Sequence, residues 1–425
     1  MRDDSATPGN GEEPAAEEPR PFLVTASPHL RSPESIPRIM WTVVATLLPA
    51  IGWGVYVFGP RVLWLVLLGV ASAAVAEAAC QVLRKRPITV SDGSAVLTGI
   101  FVVLVFPVHV PWYVIVAGSV FGVAIAKHAF GGLGCNIWNP ALAGRAFVLA
   151  SWTALVTVGA GWPVAFHYQK QADAVTAATP LTRMKQGVRQ DLKKRNEAVQ
   201  AQIRDYNGKV EQKAIAPTRE ENAAQALHRG GQVTVPTTRA EAAEALAALR
   251  ERSGTPLTDL ILGRVGGCVG EVSAVALLAG GLVLLVLGHI RWQIPVFYLG
   301  TVALLAWAVP TAVQGADLVP SATGGVYLAE PTTYYVFGQP LFHLFAGGLF
   351  LGAFFMATDM VTSPVTGKGQ AVFAIGCGVL TVVIRRFGGY PEGVCYAILL
   401  MNTASPLIDR YTRRKAFGRR PKSNE

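Results

Sequence analysis

Val62-Leu63-Trp64-Leu65-Val66-Leu67-Leu68-Gly69-Val70-Ala71-Ser72-Ala73-Ala74-Val75-Ala76-Glu77-Ala78-Ala79-Cys80-Gln81-Val82-Leu83 is an apolar run with one charged side chain, Glu77, closed by Arg84-Lys85-Arg86. A helix needs roughly 20 such residues to cross a hydrocarbon layer about 30 Å thick, and a basic triplet ends the run where headgroups would begin. Similar stretches lie near 39–59, 92–109, 111–129, 140–165, 272–289, 293–313, 340–357, 370–387 and 390–406. The expected fold is an all-α polytopic membrane protein of about ten transmembrane helices.

Composition points the same way. The 425 residues hold 37 Lys+Arg and 27 Asp+Glu, a net charge of +10 (37 − 27), with 51% hydrophobic and only 15% charged residues. Soluble domains carry about 25% charged residues. These values exclude a disordered chain, a disulfide scaffold and a soluble nucleic-acid binder. Cys80, Cys135, Cys268, Cys377 and Cys395 form no Cys-x-x-Cys pair and read as small packing residues.

Residues 1–38 are hydrophilic with no apolar core of a signal peptide, so this segment is expected in the cytoplasm. That orientation gives the cytoplasmic side Arg38, Arg84, Lys85, Arg86, Lys127, Arg291, Lys368 and a basic tail at 409–425, and leaves Arg61, Arg385 and Arg386 opposite. The positive-inside rule then puts both termini in the cytoplasm. Between a first membrane half, 39–170, and a second, 256–408, stand a loop at 171–182 and a charged insertion at 183–255, expected outside the cytoplasm. Five spans on each side suggest two inverted five-helix repeats. Val90-Ser91-Asp92-Gly93-Ser94 is echoed by Val269-Gly270-Glu271-Val272-Ser273, and Asn139-Pro140 by Ser363-Pro364.

Asp173-Ala174-Val175-Thr176-Ala177-Ala178-Thr179-Pro180-Leu181 follows the fifth span. A Thr hydroxyl among small residues and ahead of a Pro suits covalent attachment of a phosphate-bearing cofactor. The same residues also suit a helix cap with Pro180 at the first helical position.

This stretch resembles the acceptor sequence of flavin transferases, Asp-x-x-(Ser/Thr)-Gly-Ala-Thr. The wider chain resembles the D subunit of the Rnf-type ion-translocating electron-transport complex, related to the B subunit of the sodium-pumping NADH:quinone reductase. Supporting stretches are Ser27-Pro28-His29-Leu30-Arg31, which favours the Rnf branch, Ser91-Asp92-Gly93-Ser94-Ala95, Gly131-Gly132-Leu133-Gly134 through Asn139-Pro140, Phe355-Met356-Ala357-Thr358-Asp359, and Tyr390-Pro391-Glu392-Gly393. The resemblance implies FMN on the Thr179 oxygen, with Asp173, Thr176, Ala177 and Ala178 in the motif read by a flavin transferase. Ala177 stands where glycine is usual. It further implies electron transfer between ferredoxin and NAD coupled to Na⁺ or H⁺ movement in a bacterial inner membrane. Partners would be other Rnf subunits, especially the extracytoplasmic FMN-bearing G subunit; the insertion is expected to dock on an extracytoplasmic partner near the flavin, with a solvated helical insert as the plainer alternative. A quinone-reductase role and a solute permease are the alternatives. No Walker loop or dinucleotide fingerprint is present, so nicotinamide or ferredoxin chemistry falls to other subunits.

Ionisable residues in spans mark functional candidates. Glu271, Asp359 and Glu392 are the expected ion-path or flavin-orienting residues, with helix capping as the plainer role for Glu271 and Glu392. Glu77 is expected to pair with a neighbouring base, and Arg145 either to steady a flavin or to anchor at the interface. Gly131-Gly132-Leu133-Gly134 with Asn136 and Asn139 would let a planar ligand approach the backbone, for which the resemblance implies a second, noncovalent flavin such as riboflavin, or a quinone; a tight helix break in a packed bundle suits the same residues.

Overall fold

The run quoted above folds as helix α2, Arg61–Leu83, and it pairs with α1, Ile36–Phe58. In this computed structural model the described residues are 34–157, 257–263, 266–271, 273–309, 311–315, 318–320, 326–328, 332–336, 340–388 and 392–413. The most apolar window of α2 has a mean hydropathy of 2.1, yet only 39% of it is buried. Leu63, Trp64, Leu67 and Val75 point outward. A helix apolar on its outer face as well as its inner one is built for lipid. By length and composition, α1, α2 and the helix Gly367–Phe387 can each cross a membrane.

Shorter apolar helices fill the space between. After α2 come a 3₁₀ turn Val90–Asp92, α3 Ser94–Leu104, α4 Trp112–Phe121 continuing as a π-helix Gly122–His128, α5 Pro140–Ser151 and α6 Thr153–Thr157. The second part holds α7 Leu257–Leu262, a 3₁₀ turn Val269–Glu271, α8 Ala274–Val286 and α9 Gln293–Ala308. It continues with α10 Pro340–Phe345, α11 Leu349–Leu351 running into a π-helix Gly352–Met356, α12 Gly367–Phe387 and α13 Val394–Thr412. One core joins both parts, with Leu47, Leu104, Phe106, Leu142, Tyr298 and Phe373 all buried.

Several spans are broken where continuous helices were expected. The span 92–109 is helical only over 94–104, because Pro107 bridges to Cys268 and the Val269 amide donates to the Phe106 carbonyl at 3.1 Å. The span 340–357 breaks around Gly347 and Gly348. Backbone bent away from helix at membrane depth survives only where protein satisfies it, and here two loops satisfy each other. Between the expected spans 293–313 and 340–357 the chain carries strands: β1 Thr311–Gly315, which begins inside the first of those spans, pairs antiparallel with β4 Thr332–Val336, and β2 Leu318–Pro320 with β3 Val326–Leu328. The fold is thus mostly helical rather than wholly so.

Side-chain contacts sort the chain into two ends. At one end Trp41 donates to Ser91 O, Arg86 to Gly131 O, Trp138 to Thr403 Oγ1 and Arg291 to Val365 O. At the other end Arg61 donates to Val110 O, Trp53 to Leu262 O and Arg386 to Val309 O. The first end carries Arg84, Lys85, Arg86, Arg291 and Lys368, so we call it the basic end. Helices α2 and α3 cross closely because both present glycine: a Cβ on Gly99 would lie 2.5 Å from the Gly69 carbonyl oxygen.

The paired sequence echoes take on the same local forms. Val90–Asp92 and Val269–Glu271 are both 3₁₀ turns leading into apolar helices. Gly122–His128 and Gly352–Met356 are both π-helical and precede Asn139-Pro140 and Ser363-Pro364.

Candidate functional site

A pocket lies toward the basic end, between the two parts of the chain. Leu97 and Phe101 of α3 and Phe354 and Phe355 of the second π-helix give it apolar walls; Asn136, Thr358 and Asp359 add polar groups. The loop below it turns on Gly131, Gly132 and Gly134, which hold φ of 139°, 105° and 91°, a region open to residues lacking a Cβ. Asn139 then starts α5: its Oδ1 accepts from Ala141 N at 3.1 Å and Leu142 N at 3.3 Å, and Pro140 needs no partner at the first position. The Asn139 amide also donates to Met356 O at 3.4 Å, which ties α5 to the second π-helix across the pocket. Apolar walls with a few convergent polar groups are the usual make-up of a small-molecule site. Such walls suit a flat aromatic ring with polar edges.

Asp359 sits in this pocket with both oxygens engaged. Val361 N donates to Oδ1 at 3.3 Å and Thr362 Oγ1 to Oδ2 at 3.1 Å, while the Asn136 amide donates to Trp138 O at 3.2 Å. Its carboxylate closes its own turn.

Lys127, which lines the same pocket, is buried, contrary to its expected place among the cytoplasmic bases. Its Nζ lies 2.7 and 2.8 Å from the Glu77 carboxylate oxygens and 2.7 Å from Ser94 Oγ. Glu77 is 1% exposed, so the pair is deep, and Gln81 supports it at 3.3 Å while holding Thr89 at 2.9 Å. Glu77 therefore does pair with a neighbouring base.

A second buried group stands toward the opposite end. Arg145 of α5 forms an ion pair with Glu392, just ahead of α13, and its Nη2 lies 3.9 Å from Cys268 Sγ. Arg145 is 8% exposed, so it is no interfacial anchor. Cys268, Glu271 and Glu392 bring one donor atom each to within 4.8 Å of one another. Helix capping, the plainer expectation for Glu271 and Glu392, is not their role: Ser273 Oγ caps α8, accepting from Ala276 N at 3.1 Å, and α13 has no side-chain cap. The five candidates Glu271, Asp359, Glu392, Asn139 and Arg145 thus divide into two places, Asn139 and Asp359 in the pocket and the other three in this cluster. Sequence reading missed Cys268 in that role, and only its position three residues before Glu271 hinted at it.

Asp173, Thr176, Ala177, Ala178 and Thr179 lie outside the described residues, as do the segment 1–33, the insertion 183–255 and most of the tail. The chain leaves the described part after α6 and returns at α7. Trp152, just ahead of α6, stacks edge-on with Tyr113 near the Arg61–Val110 contact, and Leu262 of α7 accepts from Trp53. Both flanks are therefore at the end opposite the basic one.

Apolar helices with outward apolar faces, buried charge pairs and a pocket between two parts of the chain define a multi-pass helical membrane protein. The family model described as "NQR2, RnfD, RnfE family" matches residues 23–418. Similar curated proteins include the D subunit of the proton-translocating ferredoxin:NAD(+) oxidoreductase complex of Clostridium ljungdahlii, 39% identical over 94% of this chain and 97% of that one. The D subunit of the Na(+)-translocating ferredoxin:NAD(+) oxidoreductase complex of Acetobacterium woodii is 40% identical over 93% of this chain and 95% of its own. The D subunit of an ion-translocating oxidoreductase complex of Stutzerimonas stutzeri is 36% identical over 91% and 93%. The chain belongs to the NQR2, RnfD, RnfE family.

Proposed function

We propose that this chain is the flavin-bearing membrane D subunit of an Rnf-type complex in a bacterial inner membrane, where electron transfer between ferredoxin and NAD is coupled to Na⁺ or H⁺ movement. The observation that carries the proposal is one chain combining a near full-length match to subunits so named with the sequence Asp173 to Leu181. FMN, bound by a phosphoester to Thr179, would supply a carrier of one or two electrons. The chain's own part is to present Thr179 Oγ1 to a flavin transferase, with Asp173, Thr176, Ala177 and Ala178 forming the recognised motif. Ala177 adds one methyl and a stiffer backbone where glycine is usual.

Orientation follows from charge. With the basic end in the cytoplasm, both termini lie there and the Thr179 segment lies outside, because its flanks α6 and α7 are at the opposite end. About ten spans in two inverted halves fit the paired 3₁₀ turns and paired π-helices. The insertion 183–255 would meet the FMN-bearing G subunit on that outer side. The inner pocket suits a second, noncovalent flavin such as riboflavin, which Leu97, Phe101 and Phe354 would hold by apolar contact and Asn136 and Thr358 by their polar groups.

The test is in-gel flavin fluorescence of the denatured complex, made together with its transferase. Wild type should give a fluorescent band at this subunit's mass, and Thr179→Val none. Deleting about 190–250 should keep the band and lose the G subunit on purification. A band that survives Thr179→Val would overturn the attachment site; no band in wild type would overturn the flavoprotein reading.

A further inference from the structure

We propose that Glu271 and Glu392 form a binding site for one exchangeable monovalent cation, with Arg145 as the fixed countercharge that keeps the unloaded site at a single negative charge. The proposal deepens the ion-coupling part of the reading above and rests on it only for the coupling of ion movement to electron transfer.

Charge makes the argument. Among the described residues of the cluster there are two carboxylates, one guanidinium, and two thiols, Cys268 and Cys395, on its wall. Two negative charges against one positive leave one uncompensated. A lone charge at this depth is costly, and the ordinary remedies are a proton or a bound cation.

Hydrogen bonding locates where that cation would sit. Arg145 occupies Glu392 Oε2, while Glu392 Oε1 and Glu271 Oε1 are both buried without any hydrogen-bond partner. Glu271 is 8% exposed. Buried polar oxygens almost always find a donor, so an orphaned pair on carboxylates converging within 4.8 Å describes a place for one positive charge. Asp359 differs in that both of its oxygens already accept a hydrogen bond. The three parts come from separate elements: α5 brings Arg145, the 3₁₀ turn before α8 brings Glu271, and the residue ahead of α13 brings Glu392. A motion of one element against another would open or close the site.

A proton and Na⁺ share this oxygen chemistry, and the experiment separates them. Infrared difference spectra of the purified complex would be recorded with and without Na⁺, for wild type, Glu271→Gln and Glu271→Asp. A protonated-carboxyl band in wild type that disappears on adding Na⁺, and is missing in Glu271→Gln, assigns a Na⁺ site. The same band indifferent to Na⁺ but missing in Glu271→Gln assigns a proton site. In proteoliposomes, Glu271→Gln should keep the Thr179 flavin band but lower apparent ion affinity roughly a thousandfold, the scale of one carboxylate lost about 4 Å from a cation at an effective dielectric constant of about 20, and with it the ions moved per electron at a fixed ion concentration. Glu271→Asp, keeping the charge, should recover part of that loss. If Glu271→Gln fails to assemble, wild type alone decides: neither a protonated carboxyl nor bound Na⁺ overturns the proposal. Unchanged coupling in an assembled Glu271→Gln complex does so as well. Loss of the flavin band in wild type would instead count against the reading of Thr179, so the two failures are told apart.

Discussion

Lys127 shows how a single residue inside this protein is decided by its partner. Its ammonium is held by both Glu77 oxygens and by Ser94, all of them buried. The net worth of such a pair over an apolar one is small, because both ions were taken out of water to make it. Removing one partner is another matter, since it leaves the buried Glu77 carboxylate, among the described residues, with only the Gln81 amide at 3.3 Å and the His128 ring at 3.7 Å in place of an ammonium. Lys127→Met should cost about 3–5 kcal/mol of stability, while Glu77→Gln with Lys127→Met should regain most of it. Thermal unfolding of the detergent-solubilised protein checks both, and a double variant no more stable than the single one would contradict this account. Contrast the Arg145 cluster, where two carboxylates face one guanidinium; there the unbalanced charge is a property of the native protein.

Glycines decide the packing of elements, and they do so with opposite signs. Gly99 meets the backbone of α2 with no room for a methyl, whereas Gly52 of α1 has nothing within 4 Å of the place a Cβ would take. Gly99→Ala should therefore force α2 and α3 apart, at a cost of about 1–3 kcal/mol, while Gly52→Ala should be neutral or stabilising by up to about 1 kcal/mol. The same melting experiment reads both, and equal effects would remove the close crossing as the cause. Elements also show what a sequence can disclose. Helix α2 was legible almost to the residue, because an unbroken apolar run bounded by charge has one reading in a membrane. The start of α5 was legible too, since Asn139-Pro140 is a cap followed by a residue with no amide to satisfy. The π-helices were not, because hydropathy does not register one extra residue in a turn. The shortening of α3 depended on Val269 bonding back to Phe106, a contact between distant segments. Arg145 and Glu392 stand 247 residues apart, and no local pattern announces their meeting. Sequence supplied the ionisable candidates; folding sorted them into a pocket and a charge cluster.

At the scale of the whole molecule, the asymmetry of basic residues makes a claim about orientation that one native side chain can test. Cys80 is partly buried and Cys268, Cys377 and Cys395 are buried, while Cys135 is exposed in the loop between the first π-helix and α5. That loop is at the basic end, where Arg86 donates to Gly131 O at 3.2 Å and Trp138 to Thr403 Oγ1 at 2.9 Å. If the positive-inside rule governs this protein, Cys135 faces the cytoplasm. A membrane-impermeant maleimide should then label it in inverted vesicles and leave it unlabelled in intact cells, with Cys135→Ser removing the signal. A cysteine introduced at Thr258, exposed on α7 at the opposite end, should show the reverse pattern in a Cys135→Ser background. Because both flanks of the Thr179 segment share the end of Thr258, labelling of that position from the cytoplasmic side would put the flavin-attachment sequence in the cytoplasm. The proposed orientation, with both termini inside and Thr179 outside, would then be reversed.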